Sequence, residues 1–148
     1  MTLYGTDLGL QLPSTWRRRC DPVRGVLVAA RPDRLPTSGR SPELTLRCAI
    51  ADGTLATWRA EAMVELSEKL ADFALEDADD FDLFGHDVAY RRFAYRESVH
   101  DILCDQWAWL HQGLGITLTC SVAREDYPDF CDLFEVVAES VDLDRRVA

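Results

Sequence analysis

Lysine is nearly missing from this chain: Lys69 is the only one in 148 residues, and every other basic residue is an arginine. That preference suggests a bacterial, GC-rich coding sequence. Basic residues are also outnumbered, 16 against 26 acidic ones, which leaves a net charge of −10. A surface of that sign repels phosphate backbones and anionic headgroups, so no nucleic acid and no membrane surface is expected as a partner. No apolar run approaches the ~20 residues that span a bilayer, and no membrane insertion is expected. No basic region followed by a long apolar stretch opens the sequence, so a cytoplasmic location is expected.

Chemistry-bearing patterns are equally scarce. The five cysteines (Cys20, Cys48, Cys104, Cys120 and Cys131) include no CxxC pair. Three of them sit in apolar runs, where a thiol acts as a small hydrophobe, and reduced thiols are expected. The histidines are His86, His100 and His111. His100 and Cys104 would share one strand face but stand about 13 Å apart, too far to hold one metal. No cysteine opens a helix or stands beside a visible base, so no activated nucleophile is apparent. The glycines at 113 and 115 precede no helix and make no phosphate loop. The acidic run 76–82 lacks the spacing and glycine of a calcium loop and reads as a solvated hairpin loop. These absences leave no catalytic residue, no metal and no cofactor to assign, and the chain reads as non-enzymatic.

What remains is an ordinary globular composition, 47% hydrophobic and 28% charged, long enough for one domain over 1–148. Leucines 8, 10 and 12 alternate with Gly9 and Gln11, the period of a short first strand. Residues 23–30 and 44–50 are apolar enough for buried strands. Between them "RPDRLPTSGRSPE" (31–43) is a loop, expected to be mobile. Thr54 suits the N-cap of a helix whose stripe is Leu55, Trp58, Ala62, Leu66 and Leu70. A strand starting at Phe73 runs into the acidic stretch. Three strand-like runs follow, at 86–97, 100–112 and 115–123, with hairpin-length links that make them antiparallel neighbours. Asp126 and Pro128 start an amphipathic helix over 127–139, with Phe130, Leu133, Phe134 and Val137 on its buried side. Val141 and Leu143 suggest a closing strand. The expected fold is α+β: a mostly antiparallel sheet of six to seven strands packed with two main helices.

The order of "LQLPSTW", "ELTLRCAIADGTLATW", "FGHDVAYRRFAYRE" and "DQWAWLHQGLGITLTCSVAREDYPDFCDLFEVVAESVDL" resembles the Mog/PsbP-like superfamily of α/β sandwiches. Within it the chain is similar to DcrB-like proteins, Eag-type effector chaperones and LpqN-like lipoproteins. The resemblance implies protein binding without a cofactor. Eag-type members are cytosolic, acidic and commonly dimeric, and they shield apolar segments of a client. LpqN-like members carry a lipid-anchor signal that is not seen here, so an envelope role is not expected.

The sheet offers its own argument. Both faces of 99–111 are partly apolar, and two helices cannot cover both faces of a wide sheet. Phe93, Tyr95, Trp107 and Trp109 are therefore expected to form an aromatic contact face for another protein, with burial under a helix as the competing outcome. The reading is a chaperone or adaptor holding an apolar segment of a partner, and a homodimer. The alternatives are a small-ligand protein or enzyme using a cavity in the sheet, and a self-assembling structural component.

Overall fold

Three two-residue turns set most of the architecture. Phe84 and Gly85, and likewise Gln112 and Gly113, all have positive φ between 52° and 86°. Paired left-handed residues make the hairpin turn whose twist matches that of the flanking strands. Between these turns, and the one beginning at Ser98 (φ 56°), run β6 (Ala74–Leu83), β7 (His86–Glu97), β8 (His100–His111) and β9 (Leu114–Ala123). The computed structural model describes residues 2, 3 and 6–143, with side chains from Leu8 to Leu143. Earlier in the chain lie β1 (Thr2–Leu3), β2 (Thr6–Asp7), β3 (Arg17–Asp21), β4 (Val26–Arg31) and β5 (Glu43–Ile50). β1 and β2 pair only with each other; the other seven form one antiparallel sheet in the order β3-β4-β5-β9-β8-β7-β6. The expected α+β architecture is the one found.

Two helices flank the sheet. α1 (Leu55–Lys69) is capped by Thr54, whose hydroxyl accepts the Thr57 amide at 3.1 Å. α2 (Tyr127–Glu139) has Pro128 in its first turn. Asp126 precedes it as expected, but makes no capping bond; its carboxylate accepts the Ser38 hydroxyl instead. The larger core lies under α2, where Phe134, Val137 and Ala138 meet Leu44, Leu46, Ile116, Leu118 and Val122 of the sheet. The smaller lies under α1, where Met63, Leu66 and Leu70 meet Phe93, Ile102 and Cys104. β8 is buried continuously from Ile102 to Trp109 because it has cover on both sides.

Several expectations change. Residues 8–12 do not form a strand: Gly9 bridges Asp142 through two 2.8 Å backbone bonds, and among the described residues that isolated bridge is the β pairing of the 141–143 segment. The acidic stretch 76–82 is not a loop but most of edge strand β6, since its alternate residues pair across to β7. β4 starts at Val26, because Pro22–Arg24 make a 3-10 turn closed by left-handed Gly25. A Cβ on Gly25 would lie 2.6 Å from the Cys48 carbonyl oxygen, so a side chain is excluded twice over. On α1 the buried residues are Arg59 and Met63, and the expected stripe lies beside them, partly buried. The segment 31–43 reaches across one end of the α1 face: Arg40 donates to Ser121 at 3.0 Å and pairs with Glu97.

Candidate functional site

The four aromatic residues expected to share a face do not. Tyr90 stands opposite Trp107 and Phe93 opposite Cys104, so odd residues of β7 lie with even residues of β8. Phe93 and Tyr95 therefore point towards α1, and Trp107 and Trp109 towards α2. Phe93, Trp107 and Trp109 are buried and Tyr95 is half-buried. Parity between neighbouring strands is set by the turn, and a one-residue change inverts it. The single exposed aromatic face is corrected to two buried clusters on opposite sides of the sheet.

Under the start of α2 the apolar face contains one polar cluster. Asp105 is 2% exposed and accepts hydrogen bonds from the Tyr90 hydroxyl and, at 2.9 Å, from the Tyr127 hydroxyl. Arg92 faces the same group. Burial raises the Asp105 carboxyl above its ordinary range, while the two hydroxyls and Arg92 hold it down in part. Burial and then Asp105 push the Tyr127 phenol up to about 12, and Tyr90 shifts in the same direction. A hydrogen-bonded carboxylate is an acceptable buried group, and this one ties β7, β8 and α2 together.

At the opposite edge the same face opens into a groove of about 400 Å³. Leu8, Leu10 and Leu12 form one wall, Leu27 and Val28 of β4 the floor, and Arg18 and Arg19 of edge strand β3 the rim. The Arg18 guanidinium reaches the Leu12 and Pro13 carbonyls at 3.4 and 3.3 Å, holding the wall in place. On the other side the wall is fixed by the Gly9–Asp142 bridge and by the Gln11 amide donating to the Ser140 hydroxyl at 2.9 Å.

Charge follows topology. Up to Ile50 there are eight arginines and four acids; beyond it, eight basic residues and 22 acids. The first group supplies β3, β4 and β5, and the second supplies β6 and β7, so one sheet edge is basic and the other acidic. Arg17, Arg18 and Arg19 of β3 stand at the opposite end of the sheet from the acidic stretch of β6. The acids of β6 meet nearer arginines: Asp80 with Arg91 at 2.8 Å, and Glu76 with Arg92 and Arg124.

No family model matches the sequence, and no curated protein does. Solved structures do match. LpqN of Mycobacterium tuberculosis, involved in cell envelope biogenesis, is 18% identical over 90% of this chain and 81% of its own, with a TM-score of 0.69. The fold is PsbP-like. The cyanobacterial PsbP (CyanoP) of Synechocystis superposes with a TM-score of 0.66 at 18% identity, over 92% of this chain and 86% of that one. A Pseudomonas aeruginosa protein of unknown function, PA94, described as a candidate regulator, gives 0.65 at 15% identity over 91% of this chain and 100% of that one. No described helix of this chain is long and apolar enough to cross a membrane.

Sequence reasoning missed the groove and the Asp105 cluster. The alternating leucines at 8–12 have the period of a strand, yet in the fold they form a wall of the groove. Asp105 is an acid within an apolar run, but its partners Tyr90 and Tyr127 are 15 and 22 residues away and no local pattern links them to it.

Proposed function

We infer that this PsbP-like chain is a non-enzymatic protein-binding module, a chaperone or adaptor that holds an apolar segment of a partner protein. The observation that supports it is the groove beside β3. It is lined by leucine and valine, opens to solvent, and adjoins an edge strand with backbone groups on offer. An extended segment laid along β3 gains main-chain hydrogen bonds, and its alternate side chains reach the groove. The rim arginines favour a segment with acidic flanks, in a molecule that is otherwise acidic. A homodimer belongs to the same reading but does not use the sheet edges. Two-fold pairing of β3 would set its three arginines against themselves, and pairing of β6 would oppose two acidic runs.

The test is a titration of the full chain into a labelled peptide of alternating leucine and serine with two glutamates at each end. Saturable binding is expected. Val28→Lys should weaken it about tenfold or more, as loss of a central apolar contact does. Leu10→Ser, at a partly exposed position, supplies a second variant if Val28→Lys unfolds. Absence of binding, or equal binding by wild type and a folded variant, would overturn the reading.

A further inference from the structure

α2 leaves the β6 side of its own face uncovered. Between the helix and edge strand β6 lies a second cavity, of about 300 Å³, at the small end of the range for ligand sites. It is separate from the groove beside β3. Its floor is aromatic: Tyr90 and Trp107, with ring centroids 5.2 Å apart. Its two walls are acidic. Asp77 and Asp79 line it from β6, and Glu135 and Glu139 from α2. The one basic residue in the lining is Arg92, which is turned to Asp105, Tyr127 and Glu76. Among the described residues Asp79, Glu135 and Glu139 have no ion-pair partner.

The spacing of these carboxylates decides what could sit there. Among the described residues no three acids, histidines or cysteines converge closely enough to hold a metal ion. A point cation would find no set of three ligands there. An elongated organic cation meets both walls: its charged ends reach Asp79 on one side and Glu135 or Glu139 on the other, while its methylene body lies on Tyr90 and Trp107. Ammonium groups are attracted to aromatic faces, and methylene chains lose water against them. We propose that this trough binds an alkylammonium group, a primary amine carried on a methylene chain, as found in an aliphatic polyamine or a lysine side chain. The anionic field of the whole molecule draws such a ligand in, and the aromatic floor selects it from inorganic cations.

Spermidine is the probe. Calorimetry and tryptophan fluorescence are followed at about 150 mM salt, where screening acts beyond about 8 Å and suppresses general attraction to the surface. One saturable site with a change in tryptophan emission is expected. Asp79→Asn with Glu135→Gln should weaken it about tenfold or more. The matched control Glu61→Gln with Glu65→Gln removes two exposed charges from α1 and should leave the affinity unchanged. All four positions are exposed, so these variants are expected to fold. A short peptide with two lysines distinguishes the sources: tighter binding than spermidine assigns the site to a lysine-bearing segment, weaker binding to a free polyamine. If neither probe saturates, or if control and trough variants weaken binding equally, the trough is not an alkylammonium site. Neither result bears on the leucine-lined groove.

Discussion

Under α2 the sheet presents an apolar floor from Leu44 and Leu46 through Ile116 and Leu118 to Trp107 and Trp109, whereas under α1 the cluster of large apolar side chains stops at Ile102 and Cys104 of β8. On the α1 side β9 carries Gly115, Thr117, Thr119 and Ser121, and β5 carries Glu43, Thr45 and Arg47. Strand spacing explains the difference. Seven strands at about 4.8 Å span roughly 29 Å, and one helix of about 10 Å diameter covers two or three of them. The α2 face has extra cover from residues 8–16, with Trp16 set against Phe130 at 6.3 Å. The α1 face has its helix, the following residues 70–73 with Phe73 on Phe93 at 5.5 Å, and the 31–43 segment, so its remaining strands must tolerate water. Cutting into each face should expose the contrast. Phe134→Ala, at a fully buried site, is expected to cost about 3–5 kcal/mol. Met63→Ala, at 9% exposure in the smaller core, should fall at the low end of about 2–5 kcal/mol. Urea unfolding of both variants measures this, and equal losses would mean that the two cores are one cooperative unit of even quality.

The next largest effect is expected where the Trp58 ring of α1 meets β9. Gly115 allows the Trp58 ring to rest on β9; a Cβ there would stand 2.4 Å from the ring. Gly115→Ala must push the helix or turn the indole, at a cost of about 1–3 kcal/mol. Combining it with Trp58→Leu should recover part of that loss, because a smaller side chain leaves room for the methyl. Strictly additive losses in the double variant would show that the contact is not what holds α1 down.

Much of this arrangement was legible in the residues. The strands 86–97, 100–112 and 115–123 announced themselves through turns at Gly85, Ser98 and Gly113, and α2 through Asp126, Pro128 and its apolar stripe. These signals are local. Which residues share a face across strands is not local: one residue in a turn decides whether Phe93 joins Trp107 or faces away from it. Nor did an acidic composition betray β6 as a strand, because an edge strand needs only one partner and charge protects its free side from other sheets. The groove depended on a wall of residues 8–12 that is held by Arg18 and Ser140, neither of which a reading of hydrophobic period would connect to it.

The faces also differ in how they treat buried polar groups. Arg59, 3% exposed beneath α1, stacks its guanidinium 4.2 Å above Trp58, yet its Nε and Nη1 have no hydrogen-bond partner among the described residues. Burial, and then Arg91, bring its pKa down to about 10. A buried charge without a partner is a cost that an apolar side chain of similar shape removes. Arg59→Met is expected to leave stability unchanged or raise it by about 1 kcal/mol in chemical denaturation. A loss of that size would mean that the guanidinium is satisfied, and that the α1 face is polar by construction.

Asp105 is the counterpart beneath α2, and it is satisfied by two hydroxyls and an arginine. Its carboxyl is nevertheless raised, so the folded chain holds that proton more tightly than the unfolded chain does. Stability from this group is then fully present below the ordinary carboxylate pKa of about 4 and is lost as pH rises through the raised folded value. Asn at this position keeps an acceptor for one tyrosine and cannot ionise. The advantage of the wild type over Asp105→Asn should therefore be greatest near pH 4 and shrink as pH rises towards neutrality. Unfolding curves across that window decide it. Parallel curves would mean that the hydroxyls and Arg92 fully offset burial, and that this acid costs the α2 face nothing.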